Sequence, residues 1–138
     1  MKKVVFSVIF ILFFINLVSC AQVHKPSPEQ IRNADHGSFP SNYQEIISEY
    51  MEGMLFDPTS PLYSDWLGPS RGHIYDITGS YFGYLVCVNI NAKNRMGGYT
   101  GRKLHVFVIN NGKVINRQGG NNPGTVGHQN ALNICRGL

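Results

Sequence analysis

The sequence predicts an α+β domain: one N-terminal amphipathic helix packed on a small antiparallel sheet of three to five strands, closed by a short C-terminal helix. Three observations carry this expectation. Apolar residues recur at helical spacing from Tyr43 to Leu55. Two apolar runs, Tyr81–Ile90 and Arg102–Ile109, have the length and residue types of strands. Asn110-Asn111-Gly112 then precedes Lys113–Asn116, and an Asn-Gly pair accepts the positive φ angles that a tight hairpin turn requires. The chain has 138 residues, no internal repeat and no low-complexity tract, so one domain is expected, over residues 41–138.

The first nineteen residues read as an export signal. Lys2 and Lys3 form a positive start, and Val4–Val18 is apolar apart from Ser7 and Asn16, short for a membrane span. The segment ends in Leu17-Val18-Ser19-Cys20, which resembles a bacterial lipobox. That resemblance implies cleavage before Cys20 and a diacylglycerol on its thiol, with acyl chains such as palmitate. Two acyl chains anchor a protein stably, at about 0.8 kcal/mol per buried CH₂. The other readings are an uncleaved anchor or an ordinary secretory signal in which Cys20 is incidental. Ala21 follows the cysteine where an aspartate would favour inner-membrane retention, so similarity to Gram-negative lipoproteins implies the outer membrane, facing the periplasm.

Residues 20–40 are expected to form a lipidated tether, polar and interrupted by Pro26, Pro28, Gly37 and Pro40. A flexible stretch of that length spans roughly 25 Å. Ser41 with Gln44, or Asn42 with Glu45, fits a capping box for the helix that follows. Tyr43, Ile46, Ile47, Tyr50, Met51, Met54 and Leu55 form its apolar stripe, with Glu45, Glu49 and Glu52 opposite. Gly53 weakens its last turn, and Asp57-Pro58-Thr59-Ser60-Pro61 must turn. Leu62–Leu67 reads as a short strand broken by Gly68-Pro69, and His73–Ile77 as another. The run Tyr81–Ile90 is apolar on both faces, which marks a central strand covered by helix on at least one side. Residues 117–127 read as loop and Gln129–Cys135 as the closing helix.

With Cys20 lipidated, Cys87 and Cys135 remain as a pair in an oxidising compartment, and a disulfide between them is expected. A loop of that length stabilises by about 4 kcal/mol in the chain-entropy account. The alternative is two buried thiols. Charge is split along the chain. Without Lys2 and Lys3 there are ten bases against eight acids, but every acid lies in residues 21–76, and residues 77–138 carry seven bases and no acid. Such asymmetry fits a basic face meeting an acidic protein, an anionic envelope polymer or lipid headgroups. It equally fits mutual neutralisation within one fold. Nucleic acid is not an expected partner in the periplasm.

Leu55-Phe56-Asp57-Pro58-Thr59-Ser60, then Val86-Cys87-Val88-Asn89-Ile90-Asn91-Ala92-Lys93-Asn94 and Gly97-Gly98-Tyr99-Thr100-Gly101, resemble a recurring small domain of bacterial exported proteins, many of them lipoproteins. The likeness covers roughly Tyr43 to Phe107 and implies no particular activity. Val88 stands where that pattern commonly has glycine, Arg95 where it has serine, and His105 where an aromatic residue is frequent.

The loop Asn91–Gly101 reads first as a shaped connection, since Asn and Gly tolerate conformations that other residues resist. Its functional alternative is a binding rim of Lys93, Arg95, Tyr99, Arg102 and Lys103. The loop lacks the lysine-serine ending of a phosphate loop, and no dinucleotide fingerprint, metalloprotease helix or nucleophile elbow occurs. No catalytic residue, metal ligand or cofactor is therefore assigned. The function expected is that of a membrane-anchored binding or assembly module of the cell envelope or a secretion apparatus. The alternatives are a small envelope hydrolase, motivated by His105 and His128, or an inhibitor of a lysozyme-like enzyme. Against inhibition stands the basic C-terminal half, because such targets are usually cationic.

Overall fold

The computed structural model describes residues 23–138; the signal segment and Cys20 lie outside them. Four antiparallel strands run in the order β1-β2-β3-β4: β1 (Leu62–Tyr75), β2 (Ser80–Asn91), β3 (Lys103–Asn110) and β4 (Lys113–Gly119). Among the described residues three helices accompany them, α1 (Pro28–Arg32), α2 (Tyr43–Glu52) and α3 (Val126–Cys135). The fold is thus α+β. Among the described residues no helix is long and apolar enough to cross a membrane.

Alternation along β2 divides the core into two layers. Val86, Val88 and Ile90 point to one face and pack with Phe107 and Ile109 of β3 under Ile47 and Met51 of α2. Leu85 and Cys87 point to the other face, where Val106, Val108, Ile74 and Ala131 gather with Ile134 of α3. The sheet is therefore covered by helix on both faces, and β2 and β3 are buried nearly end to end because each carries apolar residues at odd and even positions. Cys87 is bonded to Cys135, with a Cα–Cα distance of 6.0 Å, so α3 is fastened to the middle of the sheet.

Several local expectations are corrected. Leu62–Leu67 and His73–Tyr75 are not two strands but parts of one fourteen-residue strand, β1, and Asp76 and Ile77 lie in the turn after it. The Gly68-Pro69 break is accommodated as a bulge, with register shifts between Ser64 and Leu67 and between Leu67 and Ser70. Gly68 has φ 98°, and a side chain there would run into the Leu85 carbonyl, so glycine is required where the strands close on each other. Asn111 (φ 48°) and Gly112 (φ 74°) make the predicted β3–β4 turn. The closing helix begins at Val126, earlier than expected, with Thr125 as its cap.

Within the described residues, the segment read as a free tether is instead laid against the sheet, from His24 to Pro40. Pro26 and Pro40 are buried, and α1 opens with a complete capping box between Ser27 and Gln30. The His24 amide donates to the Asp76 carbonyl (3.0 Å), clipping the chain to the β1–β2 turn. The Asn110 side chain donates to the Asp35 carbonyl (3.0 Å), His36 meets Phe82 edge-on and Phe39 meets Tyr84 edge-on. At α2 the expected box is absent: Asn42 makes no side-chain cap bond, and its amide goes to the Glu45 carboxylate (3.2 Å).

Candidate functional site

The β2–β3 connection, residues 92–102, is a small hairpin extension with its own hydrogen bonds. Lys93 and Tyr99 pair as a β-bridge. Asn94 organises the tip: its carbonyl accepts from the Gly97 amide (3.0 Å), and its side-chain oxygen accepts from the amides of Met96 (2.9 Å) and Gly98 (3.1 Å). Ala92 and Thr100 close the base, the Thr100 amide donating to the Ala92 carbonyl at 3.1 Å.

The turn after α2 supports this extension from below. Ser60 is buried; its hydroxyl donates to the Asp57 carbonyl (2.9 Å) and accepts from the Lys93 amide (3.2 Å). Asp57 in turn accepts the Thr59 amide and hydroxyl on one carboxylate oxygen. The Asp-Pro-Thr-Ser turn and the Asn-Ala-Lys-Asn loop, some thirty residues apart in sequence, are thus one structural unit.

Of the rim residues expected from sequence, Lys93 lies with its ammonium 5.5 Å from the Tyr99 ring centre. Arg95 lies 5.9 Å from the ring centre of Phe56, which belongs to the supporting turn. Such contacts contribute about 0.5–1 kcal/mol where exposed and hold the cations in place without neutralising them. Arg102 stands 3.7 Å from Asp65, a pair exposed on both sides and therefore weak. Asp65 also takes a hydrogen bond from Asn89, which holds its carboxyl below the usual range together with Ser64 and Arg102. Lys103 opens β3, opposite Ile90 on the α2 face, and is half-buried. Lys93, Arg95 and Tyr99 are brought together on the extension, with Arg102 and Lys103 at its foot.

Two members of this surface were not visible in the sequence. Phe56 is 68 % exposed and Met96 is 96 % exposed, so the basic rim carries an apolar side chain at its tip and another on the turn beneath it. An isolated apolar residue beside a turn gives no periodic signal. Tyr50, Tyr63 and Trp66, by contrast, pack against the α2 core cluster.

His105 and His128 do not converge. His105 pairs with Val88 on the α2 face, whereas His128 lies on α3 across the sheet. The His105 ring stacks on Phe107, and its Nδ1 accepts from the Arg117 guanidinium (3.1 Å), which fixes the proton on Nε2. Burial, with Arg117 and Lys103 adding to it, pushes its pKa down to about 4. It is a neutral core histidine, and the pairing that motivated a hydrolase is not formed. Among the described residues no group of three or more His, Cys, Asp and Glu side chains is placed to hold a metal ion.

Comparison with protein-family models, with curated proteins and with solved structures returns no match to this chain.

Proposed function

We propose that this protein is a membrane-anchored binding module of the bacterial envelope, which uses the 92–102 extension to hold an acidic partner. The observation that carries this reading is the composition of the extension. Four cations stand on or beside it, only one of them next to a carboxylate, and they are interleaved with exposed Tyr99, Phe56 and Met96. Aromatic, Met and Arg side chains are the types that anchor protein interfaces.

The course of the N-terminal segment narrows the choice of partner. If Cys20 carries the lipid, Val23 is at most about 11 Å from it along the chain. His24 is clipped to the β1–β2 turn, and the extension leaves the other end of β2, roughly 35 Å of strand away at about 3.3 Å per residue. This polarity favours a protein or anionic polymer of the envelope over the headgroups of the membrane that holds the anchor. An outer-membrane anchor facing the periplasm fits the same arrangement.

The test is capture from cross-linked envelopes by the full-length lipoprotein, compared with a Lys93→Glu/Arg95→Glu variant and a Cys20→Ala control. Wild type should retain a partner that the charge-reversed variant loses at least about tenfold, and more strongly at low ionic strength. Equal capture by wild type and the rim variant, or no capture above the Cys20→Ala control, would sink the proposal.

A further inference from the structure

On the α3 face, away from the rim cations, the end of β1 with the residues after it, the end of β4 and α3 border an open cleft of about 700 Å³, within the range of small-ligand sites. Its floor is apolar, formed by Ile74 and Ile134. Its walls carry four carboxamides: Gln118 from β4, Asn121 from the loop, and Asn130 and Asn133 from α3.

The charged groups near it are already occupied. Asp76 accepts the Thr78 hydroxyl and the Thr78 and Gly79 amides on Oδ1, and the Asn116 amide on Oδ2 (3.3 Å). Arg117 borders the cleft, but its guanidinium is directed to His105 on the opposite face. The Asn116 side-chain oxygen is buried without a hydrogen-bond partner among the described residues, but Asn116 lies behind Asp76 and does not line the cleft.

We infer that this cleft binds a short uncharged oligosaccharide of acetamido sugars. Each carboxamide both donates and accepts, which suits neighbouring sugar hydroxyls and pairs with an acetamido N–H and C=O. A single small apolar floor matches the C–H face of one pyranose ring. An extended peptide would instead need a row of side-chain pockets along an open strand edge. With every nearby charge engaged, an ionic ligand has no counter-charge to meet.

The experiment is a titration of the isotope-labelled full-length protein in detergent with chitotetraose, cellotetraose and an uncharged tetrapeptide, followed by amide chemical shifts. Chitotetraose should bind saturably and shift amides of 73–77, 117–121 and α3, leaving 92–102 unmoved. Asn130→Ala and Asn133→Ala lie on the exposed side of α3 and replace Asn with a better helix former, so folding is preserved. Each should weaken binding about tenfold, the equivalent of about 1.4 kcal/mol. No saturable binding up to about 10 mM ligand would overturn the inference. So would equal binding of cellotetraose, preferential binding of the peptide, or unchanged affinity in both variants. Because the rim is untouched by these variants, the result is independent of the capture experiment.

Discussion

The two faces of the sheet are held in different ways. Under α2, seven buried residues form one continuous cluster, with Ile47 and Met51 contributed by the helix and Val86, Val88, Ile90, Phe107 and Ile109 by the strands. Under α3, only Ala131 of the helix is fully buried, and the strand residues fall into two smaller clusters. The covalent bond from Cys135 to Cys87 joins the helix to this side of the sheet, beside Val106 and Ala131. A large apolar contact is cooperative with the rest of the core, whereas a cross-link acts by limiting the unfolded chain. The α2 face is thus held by one large apolar cluster, and the α3 face by two smaller ones together with a cross-link.

The largest expected effect comes from removing the cross-link. Closing a loop of 48 residues contributes about 4 kcal/mol in the chain-entropy account, so Cys87→Ala/Cys135→Ala should lower the unfolding free energy by about 2–4 kcal/mol. The loss should also be lopsided. Amides of α3 should exchange faster in the variant by sub-global opening, while those of α2 keep the protection of the global core. Hydrogen exchange on the folded variant checks this; equal loss of protection in both helices would contradict the division between the faces.

What the sequence revealed follows the same division. The amphipathic helix was legible because Ile47 and Met51 lie on one stripe, and the disulfide because only Cys87 and Cys135 remain once Cys20 is set aside. The Asn111-Gly112 turn was legible from backbone stereochemistry alone. Gly68-Pro69 misled, since a residue pair that breaks a strand and one that bulges it look the same until the partner strand is in place. The 24–40 segment also misled. It docks through single long-range contacts such as Asn110 to Asp35 and His36 to Phe82, and these leave no periodicity to detect. The cations of the rim were named from the sequence, but Phe56 was not, because it reaches Arg95 only through the turn that Ser60 ties to Lys93.

The weak point of the α2 face is electrostatic. His105 lies among apolar residues with its pKa held near 4, against an ordinary value of about 6.5, so the unfolded chain takes up the proton more readily. Its contribution to stability is complete above about pH 6.5 and is lost as the pH falls toward 4, by an amount on the order of 3 kcal/mol. His73, pushed down by burial and by His36, adds a smaller change of the same sign. Asp65 and Asp76, both held below the usual carboxylate range, act at lower pH and do not offset this slope. Urea unfolding across pH 7 to 4 should therefore show falling stability in the wild type and a flatter profile in His105→Phe, where a ring of similar shape stays on Phe107. An unchanged slope in the variant would remove His105 as its source.

The smallest effect separates the two helices at their first turns. Thr125 caps α3 directly: its hydroxyl accepts from the His128 amide (3.3 Å) and donates to the Asn122 carbonyl (2.8 Å). Asn42 stands at the corresponding place on α2 but leaves the backbone amides uncapped, its side chain being turned to Glu45. Thr125→Ala should cost about 1 kcal/mol and Asn42→Ala only about 0.3 kcal/mol, since a cap contributes through the amide it satisfies. The difference has a physical setting. α2 is positioned by the core beneath it, whereas α3 is tied at Cys135 in its last turn and depends on Thr125 to fix the other end. Urea unfolding of the two variants, with exchange rates at the first-turn amides of each helix, measures it. Should Asn42→Ala prove the costlier change, packing on the α2 face would be depending on its cap after all, and the contrast between the faces would fail at its finest scale.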